Sequence, residues 1–415
     1  MVVGGTLSFF HMYRPINPIS RSIVKKLNIN NKFSKISKAQ SLLLQKGDLS
    51  DQLEFENKKY EVNYTFNKDL KTYISKLLRQ YSSDYSTIVV IDNNTGNILS
   101  VNSYSKIKGE EVDEMIFSNK NPAASLFKII TAATLLEEKK VAVNSIYSFS
   151  GRSTTLYRNQ LGDKRNYWNQ QQDFETAFAK SNNVVFGKAA INNITAEQLT
   201  EMATKFGFNK PVLQDLEMDA SKLFCPEDQY TLAELASGFN TGTLISPIHA
   251  AMLASVVAND GLYVTPKLVQ SYKQLDNEYV YVSDLEFNPQ RVYSSRTAGL
   301  LSRLMNATVT EGTARGSFRK MSRDLFHKLN LGGKTGSITG GFPHGKRDWF
   351  TVFAKPKDPM LGSGISIAVM NVNTNHWYVK SSYLAKNIIE FYYSNIYPLN
   401  KNLTKTARNK KREEV

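Results

Sequence analysis

The sequence predicts an α+β fold: an antiparallel sheet flanked by helices, with a helical subdomain in the middle of the chain. Three observations predict it. Strand-like runs occur early, over residues 86–92 and 97–101, and again late, between 332 and 372, with mostly helical patterning between them. The 415 residues are 41% hydrophobic and 21% charged, which excludes a mainly disordered chain, a collagen-like fibre and a multi-span membrane protein. The single cysteine, Cys225, excludes an internal disulfide framework and a Cys-rich metal site, and a chain of this length buries a core without either.

Residues 1–60 lack sustained periodicity and read as an N-terminal linker. Residues 1–13 are apolar and uncharged, too short to span a bilayer. They are either the remnant of a membrane helix that starts upstream or a floppy or core-docked N-terminus. Residues 14–46 hold eight basic side chains and no acidic one, the pattern of a solvated segment, although a transit peptide has a similar composition. An amphipathic helix is expected over 69–80, with Leu70, Tyr73, Ile74, Leu77 and Leu78 on its apolar face. A hairpin follows, its turn at Asn93 to Gly96. Asn121 and Pro122 are expected to open a helix that runs to about Lys140, with proline in its first turn. Residues 141–172 read as a long irregular connection. Residues 174–192 read as helical with a break near Ser181, and 195–206 as a helix ended by Gly207. Residues 247–259 and 296–308 are further helices. Strands are expected over 332–337, 348–354 and 364–372, then a helix within 373–393 and a charged tail. The domain assignment is a linker over 1–60, one main domain over 61–398, and a basic C-terminal tail over 399–415.

Lysine plus arginine number 52 against 37 acidic residues, a net charge of +15, which favours an anionic partner surface. Nucleic acid, anionic lipid and acidic wall polymer all satisfy that criterion. No basic-aromatic stripe or nucleic-acid module is present, so nucleic acid is set aside. The histidines, His11, His249, His327, His344 and His376, show no metal-binding spacing, so neither metal nor cofactor is expected. His344 reads as a solvent-exposed loop residue. Cys225, beside Pro226, reads as a small buried apolar side chain rather than a nucleophile.

Three short motifs occur in order: Ser125-Leu126-Phe127-Lys128, Ser181-Asn182-Asn183 and Lys334-Thr335-Gly336, the last followed by Ser337. On a helix, residues three apart share a face, so Ser125 can present its hydroxyl to the Lys128 amine. A serine hydroxyl becomes a nucleophile when a base takes its proton. A lysine serves as that base when burial or a neighbouring cation lowers its pKa, and the apolar surroundings of Lys128 and the charge of Lys334 supply both. Lys334 can also bind a substrate carboxylate, Ser181 can relay a proton to a leaving amine, and Asn183 can hold a substrate amide. The small residues around Lys334 let a peptide lie alongside as an added strand. Singly these motifs are weak: Ser-x-x-Lys also occurs at Ser22, Ser103 and Ser105. In combination and order they are specific.

The chain resembles a penicillin-binding protein over about residues 60–395, in its transpeptidase domain of the serine β-lactamase and penicillin-binding superfamily. Val89 to Asp92 with Thr95, Gly96, Ile98 and Leu99 is similar to the family's opening hairpin. Ala177 to Phe186 is similar to its second-motif helix, Ile245 to Ala250 to its Ser-Pro helix start, and Glu311 to Ala314 to the Gly-Thr-Ala stretch before the third motif. Trp349, Phe350, Phe353, Ala354 and Pro356 resemble its Trp-Phe strand.

The resemblance implies a β-lactamase/transpeptidase-like fold and a peptidoglycan D,D-transpeptidase. The N-terminal 60 residues are too few for a glycosyltransferase domain, so a monofunctional enzyme is expected. It assigns Ser125 as the nucleophile on D-Ala-D-Ala stem peptides and Lys128 as general base, with Ser181 and Asn183 completing the catalytic set. It assigns Lys334, Thr335, Gly336 and Ser337 to substrate binding, and the backbone N–H groups of Ser125 and Ser337 to an oxyanion hole, worth about 3 kcal/mol per donor. The implied partners are peptidoglycan stem peptides, β-lactams as covalent inhibitors, and membrane proteins of wall synthesis. The implied location is the extracytoplasmic, periplasmic face of the cell envelope, membrane-associated. The alternatives are a D,D-carboxypeptidase, a serine β-lactamase, for which Glu197 and Glu201 are the nearest water-activating candidates after Ser181, and a non-catalytic β-lactam-binding sensor. Three departures stand out: Ala123 and Ala124 lie between Pro122 and Ser125, Val352 replaces a usual glycine, and Lys355 interrupts the Phe-Ala-Pro run.

Overall fold

The computed structural model describes residues 29–162, 169–213, 215–275, 279–282 and 288–399. The apolar segment 1–13 and the tail from residue 400 lie outside the described residues. Leu399 is described and buried.

In chain order the helix α1 (Ile29–Leu44) is followed by a hairpin of β1 (Gln52–Phe55) and β2 (Lys58–Tyr64). Then come α2 (Lys68–Tyr81), β3 (Tyr85–Asp92) and β4 (Ile98–Tyr104). A 3-10 turn over Ala124–Phe127 runs into α3 (Lys128–Glu137). The helical middle holds α4 (Phe174–Ala179), α5 (Asn183–Asn193), α6 (Ala196–Lys205), α7 (Gln229–Ser237) and α8 (Pro247–Ala258). Strands β5 (Val269–Gln274) and β6 (Tyr279–Val282) precede α9 (Ser295–Thr310). The chain closes with β7 (Leu329–Gly340), β8 (Gly345–Pro356), β9 (Ile365–Asn373) and α10 (Ser381–Phe391).

The central sheet has the order β7-β8-β9-β3-β4, antiparallel throughout, so the early and late strands meet where β9 pairs with β3. Successive side chains on a strand point to opposite faces, and both faces here are apolar. Val89, Ile91, Trp349, Phe353, Ala368 and Met370 join the core of the helical middle. Ile88, Val90, Phe350, Val352, Ile367 and Val369 join a second core with Leu70 and Ile74 of α2 and Leu384 and Ile388 of α10. Every residue of α8 is buried, as a helix apolar all round requires. No helix among the described residues is long and apolar enough to cross a membrane.

Four expectations are corrected. The linker reading of 1–60 fails from residue 29 onward, because α1 and the β1–β2 hairpin are regular structure. Strand β2 pairs with β5 in a second sheet of order β1-β2-β5-β6, and Ile36, Leu44, Leu53 and Tyr60 are core residues. The buried face of α1 is half polar, which masks its periodicity: Ser37 donates to the Asp215 carbonyl at 2.7 Å and Gln40 to the Tyr64 hydroxyl at 2.9 Å. The irregular connection contains a short ladder, Ile146–Phe149 against Gln170–Asp173. Asn121 and Pro122 do not open a helix; they pair with Ile245 and Leu244, and α3 starts only at Lys128. Cys225 is exposed, not buried. Helix α7, unannounced by the sequence reading, is capped by Asp228, whose carboxylate accepts the Thr231 N–H.

Candidate active site

The first motif sits on a tightly held turn. Ala123 N–H donates to the Thr243 carbonyl at 2.8 Å, and Ala124 adopts φ +51°, a left-handed conformation that a residue with a Cβ enters at a cost. Ser125 follows, and Lys128 begins α3. The Lys128 Nζ lies 2.8 Å from Ser125 Oγ, 2.7 Å from Asn183 Oδ1 and 2.5 Å from the Ser237 carbonyl oxygen. Asn183 donates its amide to the Thr154 carbonyl at 2.9 Å, which turns its oxygen toward the lysine.

The Asn183 and Ser237 oxygens only accept, so each takes a Lys128 N–H. When Lys128 is uncharged those two bonds use both of its donors, and the lone pair is left for the Ser125 proton. Burial, and then the charge of Lys334, hold the Lys128 pKa well below the usual lysine range.

The second motif is the joint between α4 and α5. Ser181 takes φ +59° and reverses the chain, Asn182 caps α5 by accepting the Val185 N–H at 3.1 Å, and Asn183 opens the helix. One three-residue motif thus turns, caps and reaches the base.

The third motif lies on β7, which ends the sheet order and so leaves an edge beside the site among the described residues. Lys334 is fully buried and its Nζ lies 2.9 Å from Ser181 Oγ and 3.0 Å from the Thr335 carbonyl. Burial lowers its pKa to about 7. A Cβ on Gly336 would sit 3.3 Å from the Ala124 Cβ and 3.4 Å from the Leu126 nitrogen, so glycine lets the strand approach the nucleophile turn. Thr335 Oγ1 lies 2.6 Å from Thr313 Oγ1, in the stretch before the third motif. Ser337 is exposed and stands opposite Asp348.

The structure therefore brings these residues together in two hydrogen-bonded groups, Ser125–Lys128–Asn183 and Ser181–Lys334, with Thr335 and Gly336 beside them and Ser337 further along the edge. Sequence reasoning missed the Ser237 carbonyl and Gly238, and it marked the stretch holding Thr313 without giving that residue a role. Gly238 ends α7 at φ +64°, and a Cβ there would fall 1.9 Å from the Ala124 carbonyl oxygen. A glycine directly after a helix was the available signal for Gly238. A main-chain carbonyl carries no residue-type signal. His344 is exposed, in the hairpin turn between β7 and β8.

A half-buried serine and a fully buried lysine thus lie together between a helical body and the edge of a five-stranded antiparallel sheet. The family model for the penicillin binding protein transpeptidase domain matches residues 86–390, and the chain belongs to that family. Stage V sporulation protein D of Bacillus subtilis is 23% identical over 268 residues, 62% of this chain and 40% of the relative. Peptidoglycan D,D-transpeptidase PbpA of Mycolicibacterium smegmatis is 24% identical over 255 residues, 59% and 49% of the two. The chain thus spans between two-fifths and half of the length of these curated relatives. Among solved structures, the D,D-transpeptidase domain of a peptidoglycan glycosyltransferase from Eggerthella lenta superposes with a TM-score of 0.63 at 22% identity, over 81% of this chain and 84% of that one. PBPA from Mycobacterium tuberculosis gives 0.61 at 20%, over 80% and 82%. These likenesses show a shared fold.

Proposed function

We propose that this chain is a peptidoglycan D,D-transpeptidase that works through an acyl-enzyme on Ser125. The observation that carries the reading is the Lys128 amine, buried, held by two acceptors and 2.8 Å from the Ser125 hydroxyl. In this reading Lys128 takes the Ser125 proton as Oγ attacks the penultimate carbonyl of a D-Ala-D-Ala stem. The C–N bond breaks, and the departing D-Ala amine receives, by way of Ser181, the proton that Lys128 took, so Lys128 is neutral again; Ser181 Oγ lies 2.9 Å from the Lys334 Nζ. An amine of a neighbouring stem then attacks the ester, its proton passes to Lys128, and the new amide leaves with Ser125 restored. Lys334, charged, binds the terminal carboxylate, with Thr335 and Ser337 alongside and the edge of β7 receiving the stem backbone. The N–H groups of Ser125 and Ser337 serve the tetrahedral oxyanion.

β-Lactams would acylate the same serine; solved acyl-enzyme complexes of M. tuberculosis penicillin-binding protein A with ceftriaxone and imipenem support that reading. The D,D-transpeptidase named among the relatives supports the substrate class and an extracytoplasmic site of action, where membrane proteins of wall synthesis are the expected partners. Glu197 and Glu201 lie exposed on α6, and Glu201 pairs with Lys205 at 2.7 Å. Exposure on a helix surface is a poor setting for activating a hydrolytic water, which favours transfer over β-lactamase chemistry.

The test is to incubate the protein with an acyl-D-Ala-D-Ala donor, with and without an amine acceptor, and to measure released D-Ala and amide product. Amide formation that scales with acceptor supports the proposal. Release of D-Ala with no amide product makes the chain a carboxypeptidase.

A further inference from the structure

Arg347 has no place in the chemistry above, yet it is fully buried on β8 and forms no ion pair among the described residues. Its neighbour Asp348 cannot neutralise it, because consecutive strand residues face opposite ways. Asp348 instead accepts the Ser381 N–H at 2.7 Å. With no acid beside it, burial lowers the Arg347 pKa to about 10. A buried charge held by neutral acceptors is costly, and an apolar side chain of similar size often serves stability as well. What the guanidinium supplies is geometry.

Its donors reach three points. Nε donates to Asn121 Oδ1 at 2.9 Å, Nη2 to the Pro343 carbonyl at 3.0 Å, and Nη1 to the Gly340 carbonyl. Asn121 lies four residues before Ser125; Gly340 and Pro343 belong to the turn that ends the third-motif strand. A Cβ on Gly341 would lie 2.4 Å from the Arg347 Cζ, so the turn closes over the guanidinium only because that residue is glycine. Two residues along the same face, Trp349 Nε1 donates to the Pro122 carbonyl at 3.0 Å. The next residues toward the nucleophile are Ala123 and the strained Ala124.

We infer that Arg347 is a positioning residue for the acylation step. It braces the segment carrying Ser125 against the end of the third-motif strand, and it keeps Ala124 in the left-handed conformation that aims Oγ at Lys128. The inference rests on the proposed acyl-enzyme reading, and it names a residue outside the three motifs on which the nucleophile's aim depends.

The experiment measures the rate constant of acylation by a penicillin, per active site titrated, with the melting temperature and the non-covalent dissociation constant. Arg347→Met is expected to slow acylation roughly 100-fold, the scale of a 1 Å misplacement, with the dissociation constant little changed. The pH midpoint of acylation stays in place, because the burial of Lys128 is untouched. Asn121→Ala is expected to slow acylation less, and the double variant to be no slower than Arg347→Met alone. Arg347→Lys, which keeps the charge but not the three-pointed reach, covers the case in which the methionine variant fails to fold, and is expected to be slowed at least tenfold. A folded Arg347→Met or Arg347→Lys protein that acylates at the wild-type rate per titrated site overturns the inference, as does simple additivity with Asn121→Ala. Failure of the wild-type protein to acylate overturns the underlying reading instead.

Discussion

At the scale of single residues, the site depends on how one buried amine is held. Lys128 is held in place by two acceptors, while burial and then the neighbouring charge of Lys334 favour its neutral form. Removing a general base costs about 10²- to 10⁴-fold. Lys128→Ala is expected to slow penicillin acylation by that factor with the fold intact, as read by circular dichroism, while Ser125→Ala abolishes it. The rate constant kcat/KM for a donor with a free carboxylate is expected to be bell-shaped in pH. It rises as Lys128 loses its proton and falls above about 7, where Lys334 loses the charge that binds the carboxylate. The corresponding methyl ester should lack the falling limb, and an identical profile for acid and ester would contradict the role of Lys334. These side chains were legible in the sequence because the chemistry demands particular residue types at particular spacings. The Ser237 carbonyl was not, since any residue supplies a carbonyl and only the fold brings that one to the base.

Among the elements, two junctions matter most. The C-terminus of α7 meets the nucleophile turn at Gly238, where no side chain fits. Gly238→Ala is expected to disrupt the turn both by contact with the Ala124 carbonyl and by its left-handed φ, and so to cut acylation per titrated site at least tenfold; unaltered kinetics would show that the turn is not held there. Helix α1 is the other. Ile36→Ala is expected to cost about 2–4 kcal/mol in urea unfolding, as for other fully buried aliphatic truncations. This helix was hidden from sequence reading because Ser37, Gln40 and Ser41 share its buried face, where each makes a hydrogen bond. The entry to the first motif misled for a related reason: Pro122 looks like a helix start, but Arg347 and Trp349 hold it in a short extended pair.

For the molecule as a whole, the buried site opposes stability in a pH-dependent way. Lys128 and Lys334 titrate below their unfolded values, so between the folded and unfolded pKa the unfolded chain binds more protons. Their contribution to stability therefore rises with pH, for Lys334 from about 7 toward the unfolded lysine value of roughly 10.4. Asp215 and Asp348 are pushed up to about 6 by burial, and their contribution falls as pH rises from about 4 to 6. Lys334→Met is expected to raise the urea midpoint at pH 6 and to flatten its rise toward pH 9; a lower midpoint at pH 6 would show that the buried ammonium is net stabilising. The central sheet was legible because its strands are short apolar, β-branched-rich runs bounded by turn residues. The β1-β2-β5-β6 sheet was not, since its pairing joins segments some 200 residues apart through short, largely polar strands.

The most direct test of the central claim is the intact mass of the protein after incubation with a penicillin, followed by peptide mapping. A stable adduct of one penicillin per chain on Ser125, lost in Ser125→Ala, is the predicted result. An adduct on Ser181 or on any other residue, or a folded protein that neither forms an adduct nor hydrolyses the drug, would contradict it.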